Sequence, residues 1–328
     1  MINKEPTIKD VARLANVGIT TVSRVLNNSG KVHEKTREKI LRIIEEIGYV
    51  PNMNARFLSS KRSYSLSFVA PDVGTKFFGI MYTEMEKRLS LNNYRLIYFP
   101  LIDDFSLQMI KRKTDIIYHT DAVFLASIPV KNIFKDKIPT KKLILMDSKD
   151  ERFDSVYVDN YKIGQMAAKY LLKNSDKNTE FYLITFKEFK NEFNSGVFEK
   201  RGQGFIDTIG KEKVKVFYGD LRWNGGYKAC EKLFKTKKEK KIAVFTISDI
   251  IGYGAKIFFD KNEYIPNKDY NLISTDDLPQ SKIIGLTTIR QPIAMMAKQA
   301  CELFFSHLNG RKEVENIELE SKLIKRES

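Results

Sequence analysis

Hydrophobic positions in the first fifty residues recur at the spacing of an α-helix in three short segments. These segments are residues 7–15, 19–27 and 34–47, and each has one apolar face while its other positions are polar. The apolar positions are Ile8, Val11, Ala12, Ala15, Val22, Val25, Leu26, Ile40, Ile43, Ile44 and Ile47. Thr7 is a good N-cap for the first helix, and Gly48 suits the end of the third. The pattern therefore predicts a small three-helix unit.

After residue 63 the pattern changes, and short apolar runs alternate with amphipathic segments. The apolar runs read LSFVAP, RLIYFP, AVFLAS, KLILMD, FYLITF, KVFYGD, AVFTIS and NLISTD. Amphipathic segments such as FGIMYTEMEKRLSLN and KIGQMAAKYLLKN separate most of them. Strands that alternate with helices are typical of parallel sheets. Because the series occurs twice, the sequence predicts an α/β core of two similar lobes with parallel sheets.

Length and charge divide the chain further. A chain of 328 residues is too long for one ordinary domain. Its formal net charge is +15, which favours a polyanionic partner such as nucleic acid. Of this charge, +6 lies in the first 62 residues, so the charge is about three times denser there than in the rest. We therefore expect a nucleic-acid-binding headpiece at 1–50, a hinge at 51–62 and a larger core at 63–328.

The first two predicted helices are joined by only three residues, Asn16-Val17-Gly18, which is typical of a helix-turn-helix. Small hydroxyl groups, an exposed Ile and an Arg at the outward positions of the second helix suit the DNA major groove. Those outward positions are Ile19, Thr20, Thr21, Ser23 and Arg24. We expect Lys9, Arg24, Asn27 and Lys31 to contact flanking phosphates. The pattern alone also allows a helical subdomain with an incidental polar face.

Residues 7–60, TIKDVARLANVGITTVSRVLNNSGKVHEKTREKILRIIEEIGYVPNMNARFLSS, resemble the headpiece of the lactose/galactose repressor family almost position by position. The resemblance implies a DNA-binding transcriptional regulator, expected to be a repressor, in which Ile19 and Thr20 read bases. It implies further DNA-facing positions, and the predicted DNA surface of the headpiece is Thr7, Lys9, Ile19, Thr20, Thr21, Ser23, Arg24, Asn27 and Lys31. Gly18 and His33 replace serines that are usual before the second and third helices, so the operator sequence is harder to predict.

The hinge segment is too short and polar to form a stable helix by itself. In the family that the chain resembles, the matching segment folds as a helix on DNA, and a leucine from each of two copies wedges a base step in the minor groove. Leu58 matches that leucine, and Asn52, Ala55 and Arg56 match neighbours that face the groove or phosphates. Without the resemblance, an ordinary linker with Leu58 packed on the core would be the preferred interpretation.

The resemblance extends through the core, and the late segment GLTTIRQPIAMMAKQACELFFSHLNG closely follows the ending of family members. It implies a core like that of periplasmic sugar-binding proteins, with a ligand between the lobes. Ligands of open α/β sheets bind at the carboxyl ends of strands. The candidate effector contacts there are Asp72, Phe77, Phe78, Arg201, Ser248, Asp249 and Asp276. The alternatives are an interlobe salt bridge between Arg201 and Asp276, and ordinary core positions for Phe77 and Phe78.

The expected effector is a sugar or sugar derivative, because a guanidinium and a carboxylate suit vicinal hydroxyls. Ser248 stands where many family members have Asn, and Leu221 where an aromatic side chain often stacks on the ligand, with Trp223 as a substitute two residues away. A purine-like corepressor or a phosphorylated partner protein is therefore the alternative. We also expect a homodimer on a palindromic operator, without a tetramer-forming tail.

An α/β enzyme with a DNA-binding domain is the competing class of protein. The chain has no GxxxxGK[ST] phosphate loop and no GxSxG elbow, and the GxG fragments at 202–204 and 252–254 lack the third glycine of a dinucleotide fingerprint. Three histidines without metal-ligand spacing predict neither a metal nor a cofactor. Cys230 and Cys301 suit buried thiols in a reducing compartment, and no apolar stretch is long enough to span a membrane. We therefore expect a non-enzymatic cytoplasmic protein.

Overall fold

The structure is a computed structural model that describes residues 6–26, 30–50, 62–71, 76–112, 117, 119–134, 142–186, 196–234 and 240–328. The chain divides into two units, Met1–Ser63 and Tyr64–Ser328. We call the first unit the headpiece and the second the core, and each is described by itself.

The headpiece contains the three helices that the apolar spacing predicts: α1 (Ile8–Ala15), α2 (Ile19–Leu26) and α3 (Glu34–Glu46). Its buried core consists of Val11, Ala12, Ala15, Val22, Val25, Ile40, Ile43 and Tyr49. Both the backbone N–H and the hydroxyl of Thr7 donate to the Asp10 carboxylate, at 3.0 and 2.7 Å, and this pairing closes the start of α1. The side chain of His33 forms no such cap at the start of α3.

The first lobe of the core is built on a six-stranded sheet in the order β11-β5-β4-β3-β1-β2. Every pairing described in this sheet is parallel. Its strands are β1 (Ser65–Pro71), β2 (Arg95–Leu101), β3 (Ala122–Ala126), β4 (Lys142–Met146), β5 (Asp154–Val158) and β11 (Asn316–Leu319). The helices of this lobe are α4 (Lys76–Ser90), α5 (Asp104–Arg112), α6 (Val130–Phe134) and α12 (Ile293–Leu308).

The second lobe has a six-stranded sheet in the order β12-β10-β9-β8-β6-β7. Its strands are β6 (Glu180–Phe186), β7 (Val214–Gly219), β8 (Ile242–Thr246), β9 (Tyr270–Asp276), β10 (Thr287–Arg290) and β12 (Lys322–Ile324). Its helices are α7 (Asn160–Lys173), α8 (Val197–Ile209), α9 (Trp223–Leu233), α10 (Asp249–Lys261) and α11 (Pro279–Ile283), with a 3₁₀ turn at Lys211–Lys213. The prediction of two α/β lobes is confirmed.

The chain crosses between the lobes after β5, after β10 and between β11 and β12. The third crossing explains one departure from the predicted parallel sheets, because β12 pairs antiparallel with β10. The chain leaves β11 at its carboxyl end and enters the second sheet beside the carboxyl end of β10. It must then run away from the first lobe, against the direction of β10.

Helices α7 and α8 lie in backbone contact, and this contact positions two residues of the candidate site. A Cβ atom added to Gly164 of α7 would lie 2.0 Å from the carbonyl oxygen of Arg201, and one added to Gly204 of α8 would lie 2.1 Å from that of Tyr161. Only glycine allows two helices to approach so closely. The contact places α8, which carries Arg201, against the start of α7, which carries Asn160.

Gly204→Ala is expected to lower the free energy of unfolding of the core by about 2 kcal/mol, because the added methyl group meets backbone that cannot move aside. Gly202→Ala is the matched control on the same helix, since its Cβ would meet only a Leu183 methyl group at 3.3 Å. We expect the control to be close to neutral, helped by the better helix propensity of alanine. Urea unfolding measures both variants, and equal losses would contradict the close approach.

Candidate DNA-binding and effector sites

The predicted DNA surface of the headpiece lies on the outward side of α2, opposite the buried Val22 and Val25. Ile19, Thr20 and Arg24 are exposed there, and Ile19 is exposed although it is apolar. Further predicted contacts are exposed or half-buried: Thr7, Lys9, Thr21, Ser23 and Lys31. The first turn of α2 carries no acidic side chain. The surface therefore combines hydroxyl, apolar and cationic groups without an adjacent carboxylate on that turn, as groove binding requires.

Several predicted positions lie outside the described residues, and their roles stay predictions. In the headpiece and hinge these are Asn27, Asn52, Ala55, Arg56 and Leu58, and in the core it is Asp72.

Arg201 and Asp276, both of the second lobe, form a buried ion pair. The closest guanidinium nitrogen of Arg201 lies 3.5 Å from Asp276 Oδ1, and both side chains are buried. Arg201 Nε donates to Asn160 Oδ1 and Nη1 to the carbonyl oxygen of Ile247, both at 2.8 Å. The salt bridge that was the alternative interpretation is therefore present, but it lies within the second lobe and not between the lobes.

Asp276 is held by groups from the strand ends around it and from the second crossing. Gln291 Nε2 donates to Asp276 Oδ1 at 2.7 Å, and the hydroxyl of Ser248 donates to Oδ2 at 3.2 Å. Asn160 begins the helix after the first crossing, and Gln291 follows the strand before the second. The pair of Arg201 and Asp276 is therefore hydrogen bonded to both of these crossing segments.

The first lobe contributes a carboxylate that the sequence analysis missed. Asp147 follows β4 and is buried, and its Oδ2 accepts a hydrogen bond from the hydroxyl of Ser127, which follows β3, at 2.7 Å. Both residues have left-handed backbone, with φ of 52° and 53°. Arg201 interacts with Asp147 electrostatically across the lobes. We call Asp147, Asn160, Arg201, Asp276 and Gln291 the interlobe cluster.

Asp249, another predicted effector contact, is fully buried and already satisfied by the protein. Its carboxylate accepts hydrogen bonds from the backbone N–H of Leu278 at 2.8 Å, from Thr288 Oγ1 at 2.6 Å and from the hydroxyl of Ser281. These donors lie after β9, in β10 and in α11. Asp249 therefore holds the strand ends that carry Asp276 and precede Gln291.

The aromatic candidates differ in their exposure. Phe77 and Phe78 are both buried and pack edge to face, with ring centroids 5.2 Å apart. Leu221 is partly buried against the core, whereas Trp223 at the start of α9 is 57% exposed. Phe77 and Phe78 thus contribute to the hydrophobic core of the first lobe, and Trp223 presents a free aromatic surface on the second.

Burial of several carboxylates close to one another changes their proton affinity. Burial raises the pKa of Asp249, and the nearby Asp276 raises it further. Burial also raises the pKa of Asp276 and of Asp147, and Arg201 offsets part of the rise for both. The carboxyl groups of Asp147, Asp249 and Asp276 are therefore ionised less readily than carboxyl groups in water.

These shifts predict that the core loses stability as the pH rises from 5 to 8. A carboxyl group with a raised pKa binds more protons in the folded state than in the unfolded state above about pH 4, so the free energy of unfolding falls with increasing pH. We expect a loss on the order of 2 kcal/mol across this range and a flatter profile for Asp249→Asn. Urea unfolding at each pH measures it, with Asp207→Asn at an exposed position as the control. A wild-type profile that rises with pH would contradict the shifts.

Other predictions about chemistry concern metals, thiols and membranes. Cys230 and Cys301 are free thiols and both are buried, as predicted. Among the described residues, no group of three His, Cys, Asp or Glu side chains could hold a metal ion. Within the same part of the chain, no helix is long and apolar enough to cross a bilayer.

In comparisons with known proteins, the headpiece and the core each match a separate family model. Residues 7–52 match the family of bacterial regulatory proteins of the lacI type, and residues 65–325 match the periplasmic binding proteins and sugar binding domain of the LacI family. The transcriptional regulator MalR of Clostridium butyricum is 29% identical, with 98% of each chain covered. The regulator RegA of Clostridium acetobutylicum is 30% identical, again with 98% of each covered. The lac repressor dimer bound to operator and the anti-inducer ONPF has a TM-score of 0.79 at 18% identity, with 99% of each chain covered.

Proposed function

Because this chain belongs to the lacI family of bacterial regulatory proteins, we propose that it is a repressor whose operator binding is controlled by a small ligand held between the lobes of its core. Membership of this family already implies a DNA-binding transcriptional regulator with a ligand-binding domain. The repressor role, the dimer and the chemical class of the ligand are our proposals. We further propose that the protein acts in the cytoplasm and catalyses no reaction.

The observation that supports ligand control is the interlobe cluster. It joins Asp147 of the first lobe to Arg201 and Asp276 of the second, and it bonds Asn160 and Gln291 beside two of the three crossings. A ligand that exchanges hydrogen bonds with these groups changes the relative free energy of open and closed lobes. A ligand can shift such an equilibrium only by binding the two states differently, and a site at the crossings provides that difference.

A sugar or sugar derivative suits this site. The guanidinium of Arg201 and the carboxylates of Asp276 and Asp147 can exchange hydrogen bonds with several hydroxyl groups at once. The core matches a family model described as a sugar binding domain, which supports the same class of ligand.

The homodimer is supported by an apolar surface on the first lobe. Strand β2 is the edge of its sheet, and exposed apolar side chains lie on it and on the segment that follows. We call this surface the dimer face, and its residues are Ile97, Ile102, Phe105 and Met109. Exposed apolar side chains beside the edge strand of a sheet are disfavoured on free surfaces and typical of interfaces. The similar lac repressor structure is described as a dimer on its operator, which agrees with this assignment.

Selection of binding sites from random DNA tests the proposal. The purified full chain is expected to enrich an inverted repeat, since each subunit of a symmetric dimer reads one half-site. Compounds that bind the core are then tested for release of the selected operator. A single half-site without symmetry, or no enrichment, would contradict the proposal.

Thr20→Ala and Lys31→Ala are expected to change operator binding in different ways. Thr20 is exposed near the start of α2, so its loss should cost about 1–3 kcal/mol on the selected operator and relax the preference at one base pair of each half-site. Lys31 is exposed beyond α2, so its loss should weaken binding to all sequences alike and reduce the salt dependence by about one ion per subunit. Titrations at several salt concentrations on operators with single changes separate the two effects. Identical behaviour of both variants would contradict the assigned roles.

A further inference from the structure

We propose that the ligand of the core carries a positively charged amino group, and that Asp147 is the residue that receives it. This inference rests on the proposed function, because it concerns the chemical class of the effector at the same site. An amino sugar is the simplest ligand that combines such a group with the hydroxyls expected there.

The first argument is the balance of charge where the lobes meet. Asp147, Asp249 and Asp276 are all buried, and each is at most 6% exposed. Arg201, at 2% exposure, is the cation that interacts with Asp147 and Asp276. Two carboxylates facing one guanidinium, with the buried Asp249 close to Asp276, leave a deficit of positive charge, which is costly in a buried site. A ligand with an ammonium group would reduce that deficit, whereas a phosphorylated ligand would increase it.

The second argument is that the unmet hydrogen-bonding groups in the cluster are acceptors. Asp147 Oδ1 and Gln291 Oε1 are both buried, and neither receives a hydrogen bond from a described residue. The amide of Gln291 cannot be reversed to relieve this, because its Nε2 already donates to Asp276. A buried acceptor without a donor has lost its hydrogen bonds to water without replacement, which is unfavourable. An ammonium group offers three donors and no acceptor, so it matches this requirement better than a hydroxyl group does.

The third argument singles out Asp147 among the three acids. Asp249 accepts three hydrogen bonds from its own lobe, and Asp276 is bonded through both oxygens, to Gln291 and to Ser248. Asp147 accepts one hydrogen bond, from Ser127, and keeps the other oxygen free of a donor within 3.5 Å among the described residues. It also comes from the opposite lobe to Arg201. A cation bound at Asp147 would therefore strengthen contact between the lobes.

The raised pKa of Asp147 agrees with this assignment and adds a measurable consequence. Burial raises that pKa, and the charge of Arg201 together with the neighbouring side chains of Ser127 and Asn160 offsets only part of the rise. A cation at Asp147 lowers the pKa again, because it favours the ionised carboxylate. Binding of a cationic amine should therefore shift the proton equilibrium of Asp147 toward the ionised carboxylate.

Calorimetry on the full chain tests the inference with matched sets of probes. The sets are glucose, glucosamine and glucose 6-phosphate, and the corresponding galactose and mannose compounds. We expect one hexosamine to bind at least tenfold more tightly than its neutral hexose, and the hexose 6-phosphates to bind more weakly still. Titration in two buffers with different ionisation enthalpies measures the net proton exchange on binding and requires no variant.

Asp147→Asn is the matched variant, because it keeps the size of the side chain and removes the charge. It is expected to reduce hexosamine affinity at least tenfold while the affinity for the neutral hexose changes less than threefold. Tighter binding of a neutral or phosphorylated sugar, lost in Arg201→Lys, would overturn the amino-group inference and leave the proposed function standing. If no probe binds the protein or releases operator, the result contradicts both the amino-group inference and the proposed function. A hexosamine whose affinity is unchanged in a folded Asp147→Asn protein would overturn the role of Asp147.

Discussion

Arg201→Ala is expected to abolish the response of operator binding to the effector and to lower the free energy of unfolding of the core by about 3–5 kcal/mol. The guanidinium is buried, and its removal leaves Asp276 and Asp147 without their nearby cation. It also removes the hydrogen bonds to Asn160 and to the carbonyl of Ile247. Operator binding without effector should persist, because the residues proposed to read DNA belong to the headpiece. Fluorescence anisotropy on the selected operator, with and without ligand, and urea unfolding measure the two effects.

Two further variants separate the loss of stability from the loss of response. The double variant Arg201→Ala with Asp276→Asn removes the opposing charge, so part of the stability should return while the effector response stays absent. Arg290→Ala is the control, since Arg290 pairs with Asp277 at 2.6 Å and is half exposed. That control should keep its response. An Arg201→Ala protein that still releases operator on addition of ligand would show that the interlobe cluster is not the effector site.

Phe105→Glu is expected to convert the proposed dimer into a monomer and to weaken operator binding at least about 100-fold. Phe105 is 73% exposed in α5, and it belongs to the dimer face. A carboxylate there would have to lose its water of hydration when the apolar faces meet, which costs several kcal/mol. The loss of affinity follows because two linked headpieces bind the two half-sites of an operator far more tightly than one does. Analytical ultracentrifugation and operator titration measure the two quantities.

Ile265→Glu is the matched control for this prediction. Ile265 is also an exposed apolar residue, but it lies in the second lobe after α10 and outside the dimer face. The control should remain dimeric and retain wild-type affinity. A Phe105→Glu protein that sediments as a dimer would place the subunit interface elsewhere on the core.

The local pattern of the sequence was enough to predict the headpiece. Val11, Val22 and Ile40 recur at helical spacing, and all three are fully buried in its core. The same spacing leaves Ile19, Thr20 and Arg24 on the outside, and they are exposed. A short helix in a small unit has only one side to bury, so spacing along the chain decides which residues face solvent. The roles of the hinge residues, Leu58 among them, remain predictions.

The sequence by itself also determined the two α/β lobes, because buried parallel strands need continuous apolar runs and helical connections. Only the tertiary structure showed that Asp147 and Gln291 join Arg201 and Asp276, and that Asp249 is held by donors of its own lobe. The physical reason is that a side chain at the end of a strand contacts segments that the crossings between the lobes bring near it, and these segments are distant in sequence. The partners of Asp276 lie 28 and 15 positions away along the chain. The tertiary structure also decided the direction of β12. The last crossing brings the chain to the carboxyl end of β10, so β12 pairs antiparallel with that strand.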